Sequence, residues 1–170
     1  MFSLVLGGAK SGKSNFALKL FNNLQGEGAL VVTGKGLDFA FKKQILDHRL
    51  ERNPEIKVFE VEKNLAGTLK SLPASLDKIL IEGLDFWFFS LSKEEREEYL
   101  EAFWESLVFL KQEVILVSSE VGLGLLPGKL TWEVRGLGEF NQKLARLCAK
   151  VYLVVAGCAL KIKDQEDGLF

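Results

Sequence analysis

A glycine-rich octapeptide near the start of the chain, GGAKSGKS at residues 7–14, has the residue types and spacing of a phosphate-binding loop. It fits the pattern G-x-x-x-x-G-K-[ST] in full, and it lies between a strand-like apolar run and a segment with helical spacing. The glycines let successive backbone N–H groups point into a concave anion site, and the following helix adds its positive end. Lys13 has the reach for β- and γ-phosphates, and Ser14 offers a hydroxyl to Mg²⁺. A chance glycine-rich turn is the alternative, and the strand, the helix and both side chains favour triphosphate binding.

An acidic residue at the end of the apolar run KILIEG offers the second Mg²⁺ contact that a triphosphate site needs. At the end of a buried strand, Glu82 would lie at the carboxyl edge of the sheet, where open α/β sheets bind their ligands. Asp85, in what reads as a loop after this strand, is a rival for the role. Alternatively, Glu82 has no functional role and is a solvent-exposed carboxylate at the end of a strand. The aromatic run FWFF that follows is interpreted as core rather than as a platform for a base.

The only histidine, His48, lies in the segment ILDHRLER at residues 45–52. Helical spacing puts it on one stripe with Arg49 and Arg52, and such a face favours a phosphate-bearing ligand. Neutral imidazole is a nucleophile at neutral pH, so attack on the α-phosphorus of a nucleotide would expel pyrophosphate and leave a nucleotidyl-histidine. Spacing does not distinguish this role from phosphate binding alone. A solvated basic face paired to nearby glutamates is a third reading.

Apolar runs alternate with segments of helical spacing along the chain, and they predict the strands and helices that position these residues. We predict strands at 2–6, 29–34, 57–61, 78–83, 114–119 and 151–157, and helices at 13–24, 38–52, 63–71, 93–111 and 139–149. Continuously apolar strands that alternate with helices are typical of a parallel sheet buried on both faces. The glycine turn and short strand of GCALKIK indicate a closing hairpin, so one edge strand is expected to be antiparallel.

The length, composition and net charge of the chain narrow the class of protein. The chain has 170 residues, 48% hydrophobic and 26% charged, with a net charge of -1. This length fits one domain over 1–170, and the charge balance argues against a nucleic-acid binder. The sequence shows no run able to span a bilayer and no signal-peptide pattern, so a cytoplasmic protein is expected. The two cysteines, Cys148 and Cys158, match no metal-binding spacing and are read as reduced thiols.

Several motifs in order resemble the bifunctional adenosylcobinamide kinase / adenosylcobinamide-phosphate guanylyltransferase family of cobalamin assembly. HRLER looks like the family's H-[RK]-x-x-R, and ILIEGLDFW looks like its strand-end acid followed by an apolar-aromatic stretch. The more specific part of the resemblance lies in VILVSSEVGLGLLP, FNQKLA and VYLVVAGCALKIK, since the phosphate loop alone is generic. The chain departs from the family at Ser119, where Asn is usual, and within residues 129–139.

The resemblance implies a P-loop NTPase fold with a RecA-like, mostly parallel sheet flanked by helices, and a homotrimer. It also implies that ATP or GTP phosphorylates adenosylcobinamide, that GTP then guanylylates His48, and that this GMP passes to adenosylcobinamide phosphate to give adenosyl-GDP-cobinamide. Mg²⁺ is expected on Ser14 and Glu82, and Lys13 is the second expected catalytic residue beside His48. The family's nucleotide contacts fall on Gly7, Gly8, Ala9, Lys10, Ser11, Gly12, Lys13, Ser14, Val32, Thr33, Gly34, Arg49, Leu50, Glu51, Arg52, Glu60 and Glu82. A P-loop kinase with the first activity alone, or a nucleotide-binding regulator without enzymatic activity, is the alternative.

Overall fold

The computed structural model describes residues 1–33, 56–123 and 132–165. The strands are β1 (Phe2–Gly7), β2 (Gly28–Thr33), β3 (Lys57–Val61), β4 (Lys78–Glu82), β5 (Glu113–Ser119), β6 (Lys150–Val155) and β7 (Cys158–Asp164). The helices are α1 (Lys13–Asn23), α2 (Leu65–Ser71), α3 (Leu84–Ser90), α4 (Lys93–Val108) and α5 (Trp132–Leu147). No helix in these ranges is both long enough and apolar enough to cross a membrane.

The strands form one seven-stranded sheet in the order β3-β2-β4-β5-β1-β6-β7. All neighbouring pairs are parallel except β6 and β7, which are antiparallel. The predicted α/β fold with an antiparallel edge hairpin is therefore confirmed. Because parallel strands share one direction, β1, β2, β4 and β5 all end at the same edge of the sheet, and that edge carries the phosphate loop.

The two faces of the sheet bury separate hydrophobic clusters, as continuously apolar strands require. Leu4 of β1 faces one cluster, which is completed by side chains of α2, α3, α4 and α5. Val5 faces the other cluster, which is completed by Ala17, Leu18 and Phe21 of α1. Alternate residues of the same strand thus pack against helices on opposite faces of the sheet. The packing of α1 also fixes the position of its first residue, which belongs to the phosphate-loop motif.

Helix α3 was not predicted, because the sequence after β4 reads as a loop. Gly83, with φ 84°, forms the turn into this helix, so Asp85 lies in a helical first turn rather than in a loop. The core interpretation of FWFF is right for Trp87 and Phe88, which are buried. It is wrong for Phe86 and Phe89, which are 63% and 42% exposed.

Helix α5 begins at Trp132, well before the predicted start at 139. Glycine lowers helix propensity, so Gly136 and Gly138 weaken the helical signal of the first turns in the sequence. Gly136 has a packing reason, since a Cβ there would lie 2.9 Å from the Phe88 ring. Asn141 therefore lies inside the helix, and its side chain is buried. Helix α4 begins with a capping box, in which the Ser92 hydroxyl accepts from the Glu95 N–H and the Glu95 carboxylate accepts from the Ser92 N–H.

Candidate active site

Glycines occupy two positions around the phosphate loop, Gly7 and Gly12, where a side chain would meet neighbouring atoms or a strained backbone. A Cβ on buried Gly7 would lie 2.5 Å from Ser11 Oγ and 2.6 Å from the Val154 carbonyl oxygen. Gly12 has φ 94°, a left-handed conformation that favours glycine, directly before the first residue of α1. Side chains at these positions would force the loop open, so the glycine spacing of the motif has a direct steric cause here.

Lys13 turns its ammonium group back over this loop. Its Nζ donates a hydrogen bond of 3.3 Å to the carbonyl oxygen of Gly8. At that length the bond is weak, so phosphate oxygens entering the loop can replace the carbonyl as partners of the charge. The structure therefore places Lys13 where the motif requires a cation.

Ser14 and Glu82 meet across the edge of the sheet, although they are far apart in the sequence. The Ser14 hydroxyl donates a hydrogen bond of 2.7 Å to Glu82 Oε1. The second carboxylate oxygen, Oε2, is buried and has no hydrogen-bond partner among the described residues. The two residues predicted from separate motifs thus form one oxygen-rich site beside the phosphate loop.

The Glu82 carboxyl holds its proton unusually tightly. Burial raises its pKa from 4.5 to about 7, and the negative charge of Asp85 acts in the same direction. The Ser14 hydrogen bond and the charge of Lys13 oppose this rise. Asp85 is itself buried, and its Oδ1 has no partner among the described residues. The site therefore holds two carboxyl groups, and a bound cation would favour the ionised form of Glu82.

Replacing Glu82 by Gln is expected to stabilise the nucleotide-free protein at alkaline pH. Between pH 4.5 and about 7, Glu82 ionises in the unfolded chain but keeps its proton in the folded one, so wild-type stability falls as pH rises through this window. A shift of this size corresponds to roughly 3 kcal/mol. The amide cannot ionise, and its oxygen can still accept from Ser14.

Urea unfolding of the metal-free proteins at pH 4.5 and pH 8 measures this effect. We expect the Glu82→Gln variant to gain stability over wild type only at pH 8. An equal stability difference at both pH values would show that the carboxyl is not held protonated by burial.

The ends of β2 and β3 bring further predicted residues to the same edge. Val32 pairs with Glu82 on one side and with Glu60 on the other. The Thr33 hydroxyl donates to the carbonyl oxygens of Glu82 and Gly83, at 3.1 and 2.5 Å. Thr33 thus holds the turn between β4 and α3, a structural role that the sequence did not indicate.

The remaining predicted contacts, Gly34, His48, Arg49, Leu50, Glu51 and Arg52, lie outside the described residues, as does the predicted helix over 38–52. The same is true of residues 124–127, at the end of the motif VILVSSEVGLGLLP. Glu120, in the described part of that segment, accepts a 2.7 Å hydrogen bond from the Gly122 N–H. Its own N–H donates to the carbonyl oxygen of Gly7 at 3.1 Å, which ties the segment to the phosphate loop.

Two contacts near the loop were missed by the sequence interpretation. Asn141 Nδ2 donates a hydrogen bond of 3.0 Å to the Ser119 carbonyl oxygen, and its Oδ1 is buried without a partner among the described residues. On the other side, the Gly157 N–H donates to the Ser11 carbonyl oxygen at 2.8 Å. The segments FNQKLA and VYLVVAGCALKIK contained these residues, but nothing local to either segment indicates which part of the fold it touches.

Comparison with known proteins identifies related chains. The CobU family, described as cobinamide kinase / cobinamide phosphate guanyltransferase, matches residues 3–162. The bifunctional adenosylcobalamin biosynthesis protein CobP of Pseudomonas aeruginosa is 32% identical over 171 residues, which cover 97% of this chain and 99% of that protein. The bifunctional CobU proteins of Salmonella typhimurium and Escherichia coli are 27% and 28% identical, each over 96% of this chain and 100% of its own length.

A solved structure supports the fold independently of sequence. The chain from Pyrococcus horikoshii OT3 described as "Structural study of Project ID PH0250" superimposes with a TM-score of 0.63. The superposition covers 99% of this chain and 88% of that one, at 8% identity. At this identity the likeness concerns the fold alone.

Proposed function

Because this chain belongs to the cobinamide kinase / cobinamide phosphate guanyltransferase family, we propose that it catalyses both reactions in the family's description. The first phosphorylates the aminopropanol hydroxyl of adenosylcobinamide with ATP or GTP. The second transfers GMP from GTP to adenosylcobinamide phosphate and gives adenosyl-GDP-cobinamide. The bifunctional enzyme of cobalamin biosynthesis expected from the sequence is thus the one that the family and the relatives support.

The observation that carries the proposal is the contact between Ser14 and Glu82 beside the phosphate loop. Their 2.7 Å hydrogen bond puts a hydroxyl and a buried carboxylate next to the place where the loop would hold β- and γ-phosphates. A glycine turn that matched the motif by chance would have no reason to meet a strand-end acid from β4. A triphosphate site needs this arrangement, since phosphoryl transfer depends mainly on positioning and on charge stabilisation.

The phosphoryl transfer we propose uses the phosphate loop directly. The substrate hydroxyl oxygen attacks the γ-phosphorus, the bond from the γ-phosphorus to the β-γ bridging oxygen breaks, and the hydroxyl proton leaves to solvent. Backbone N–H groups of residues 7–14 and the Lys13 ammonium hold the phosphate oxygens, and they stabilise the charge that moves toward the leaving diphosphate.

The side chains beside the loop fit Mg²⁺. A serine hydroxyl and a carboxylate are hard oxygen ligands, and the orphaned Glu82 Oε2 is a buried acceptor that a cation would satisfy. Within the described ranges, no group of three or more His, Cys, Asp or Glu side chains could hold a metal ion. This suits Mg²⁺, which typically takes one or two protein oxygens together with phosphates and water. Bound there, it would neutralise charge on the β- and γ-phosphates.

Replacing Glu82 by Gln also tests this assignment. The variant keeps an oxygen for Ser14 but loses the charge, so we expect the Mg²⁺ concentration needed for half-maximal kinase activity to rise by about tenfold or more. Asp85→Asn is the matched control, because it removes the neighbouring charge without touching Ser14. If Asp85→Asn raises the Mg²⁺ requirement and Glu82→Gln leaves it unchanged, then Asp85 is the metal ligand.

For guanylyl transfer we propose a covalent intermediate on His48. One imidazole nitrogen attacks the α-phosphorus of GTP, a P–N bond forms, and pyrophosphate leaves. A phosphate oxygen of adenosylcobinamide phosphate then attacks the same phosphorus, the P–N bond breaks, and the imidazole is regenerated. The proposal rests on the HRLER motif, in which Arg49 and Arg52 are expected to steady the phosphate charge.

Intact mass spectrometry after incubation with GTP and Mg²⁺ tests the proposed function. We expect the chain to gain one GMP, and to lose it when adenosylcobinamide phosphate is added, with adenosyl-GDP-cobinamide as the product. Phosphorylation of adenosylcobinamide without any adduct would instead indicate a kinase with a single activity. Nucleotide binding with neither reaction would indicate a regulator.

The assembly state and location expected from the sequence stay predictions. A homotrimer is implied by the family resemblance, and several large apolar side chains are exposed, among them Phe86, Leu123 and Trp132. Sedimentation measurements would give the number of subunits directly. The cytoplasmic location remains an expectation from the sequence.

A further inference from the structure

We propose that Glu120, the residue that follows β5, is the general base of the kinase reaction and takes the proton of the substrate hydroxyl. The inference rests on the proposed kinase function. It adds a step before the proton reaches solvent, and it gives a chemical role to a side chain outside the nucleotide and metal contacts.

The position of Glu120 follows from the order of the strands. Strand β5 lies between β4, which ends at Glu82, and β1, which leads into the phosphate loop. The three strands are parallel, and Ser119 at the end of β5 pairs with Gly7 at the end of β1. Glu120 therefore leaves the sheet between the strand that carries the expected metal ligand and the strand that carries the loop. This is the edge where the terminal phosphate is expected.

Three hydrogen bonds fix the backbone and the carboxylate at this position. The Glu120 N–H donates to the Gly7 carbonyl oxygen at 3.1 Å, and the preceding carbonyl, that of Ser119, accepts from Asn141 Nδ2 at 3.0 Å. Glu120 Oε1 accepts from the Gly122 N–H at 2.7 Å. A Cβ on Gly122 would lie 2.9 Å from this oxygen, so the glycine leaves room for the carboxylate. A general base needs such support, because it must be held within hydrogen-bond reach of the proton that it takes.

Glu120 is more available to a substrate than Glu82 and Asp85 are. Those two residues are only 8% and 5% exposed, and Glu82 already accepts from Ser14 beside the expected metal ion. Glu120 is half-buried. A carboxylate offers about four acceptor positions, so Glu120 can hold the Gly122 N–H and a substrate hydroxyl at the same time.

The direction of attack brings the substrate hydroxyl to the open side of the site. The hydroxyl oxygen approaches the γ-phosphorus opposite the β-γ bridging oxygen, and thus beyond the phosphate loop and the expected metal ligands. As the new O–P bond forms, the bond to the bridging oxygen breaks and its electron pair stays on the leaving diphosphate. The hydroxyl proton passes to a carboxylate oxygen of Glu120, which releases it to solvent when the product leaves.

Replacing Glu120 by Gln separates this role from a purely structural one. The amide oxygen can still accept from the Gly122 N–H, but the amide cannot take the proton. We expect the single-turnover rate of adenosylcobinamide phosphorylation to fall about a hundredfold or more. Calorimetric binding of β,γ-methylene-ATP and the gain of GMP from GTP should match wild type, because neither needs this base. Glu101→Gln, at an exposed glutamate of α4, is the charge-matched control and should keep the wild-type rate.

Formate provides an independent measurement on a second variant. Glu120→Ala removes the base and leaves space for a small carboxylate. Formate should therefore raise the single-turnover rate of Glu120→Ala and leave that of Glu120→Gln unchanged, because the glutamine side chain fills the space.

A wild-type kinase rate in Glu120→Gln would overturn the inference. Parallel losses of nucleotide affinity and of GMP gain in this variant would do the same, since they indicate a structural role, as would a rate of Glu120→Ala that formate does not raise. Wild-type protein that binds the triphosphate but does not phosphorylate adenosylcobinamide would contradict the proposed kinase function, and the inference with it.

Discussion

Replacing His48 by Asn is expected to abolish guanylyl transfer and to spare the kinase reaction. A covalent intermediate needs a nitrogen with an available lone pair, and the amide nitrogen of asparagine has its lone pair delocalised into the carbonyl. Asparagine keeps the polarity and approximate size of the histidine side chain. Phosphoryl transfer depends instead on the phosphate loop, Mg²⁺ and a positioned hydroxyl. The two activities should therefore separate in one variant.

Intact mass and product assays check this separation. Wild type should gain GMP from GTP in an acid-labile, base-stable form, as expected of a phosphoramidate, and the His48→Asn variant should gain none. Because the chain contains one histidine, no second imidazole can replace it. A GMP adduct of wild-type amount in the variant would mean that another group, such as a lysine, is the nucleophile.

Loss of the Lys13 ammonium group is expected to remove most of the triphosphate affinity. Lys13 lies over the loop with only a 3.3 Å hydrogen bond to Gly8, so phosphate oxygens are its natural partners. Charge-assisted hydrogen bonds contribute about 1.5–3 kcal/mol each, so Lys13→Ala should weaken binding by about a hundredfold or more if the ammonium makes two of them. The fold should tolerate the change, since the lost intramolecular bond is weak.

Calorimetry with β,γ-methylene-GTP and Mg²⁺ gives the affinity of each protein. Lys19→Ala is the matched control, because Lys19 is an exposed lysine of the same helix, one turn and a half beyond the loop. We expect the Lys19→Ala variant to bind like wild type. Unchanged affinity in Lys13→Ala would remove Lys13 from the site and leave the backbone N–H groups as the main phosphate ligands.

The sequence predicted the features that rest on local pattern. The strands and the antiparallel edge each follow from a few neighbouring residues, and the structure confirms them. The meeting of Ser14 with Glu82 was also predictable, because both lie at the carboxyl edge of a parallel sheet. The family drawn from the ordered motifs is confirmed by the match over residues 3–162. The roles of His48, Arg49 and Arg52 stay predictions.

What the sequence did not predict depends on contacts between distant segments. Thr33 has the residue type of a ligand contact, but its hydroxyl holds the carbonyls of Glu82 and Gly83. From the sequence, the turn at Gly157 is an ordinary hairpin turn. The structure shows that its N–H donates to the Ser11 carbonyl oxygen. The contacts of Thr33 and Gly157 are set by strand order, and strand order is a property of the whole sheet rather than of any window of residues.

Because the Gly157 N–H donates to the Ser11 carbonyl oxygen, the phosphate loop gains its full set of contacts late in protein synthesis. The ribosome makes the phosphate loop before β5 and β6, the strands that pair with β1, and the turn after β6 contacts the loop. Such non-local pairing is slow to form, and nascent chains remain incomplete until their last strands are available. We therefore expect a ribosome-bound chain that stops before β6 to hold no nucleotide, so that binding appears only when the β6–β7 hairpin has left the exit tunnel.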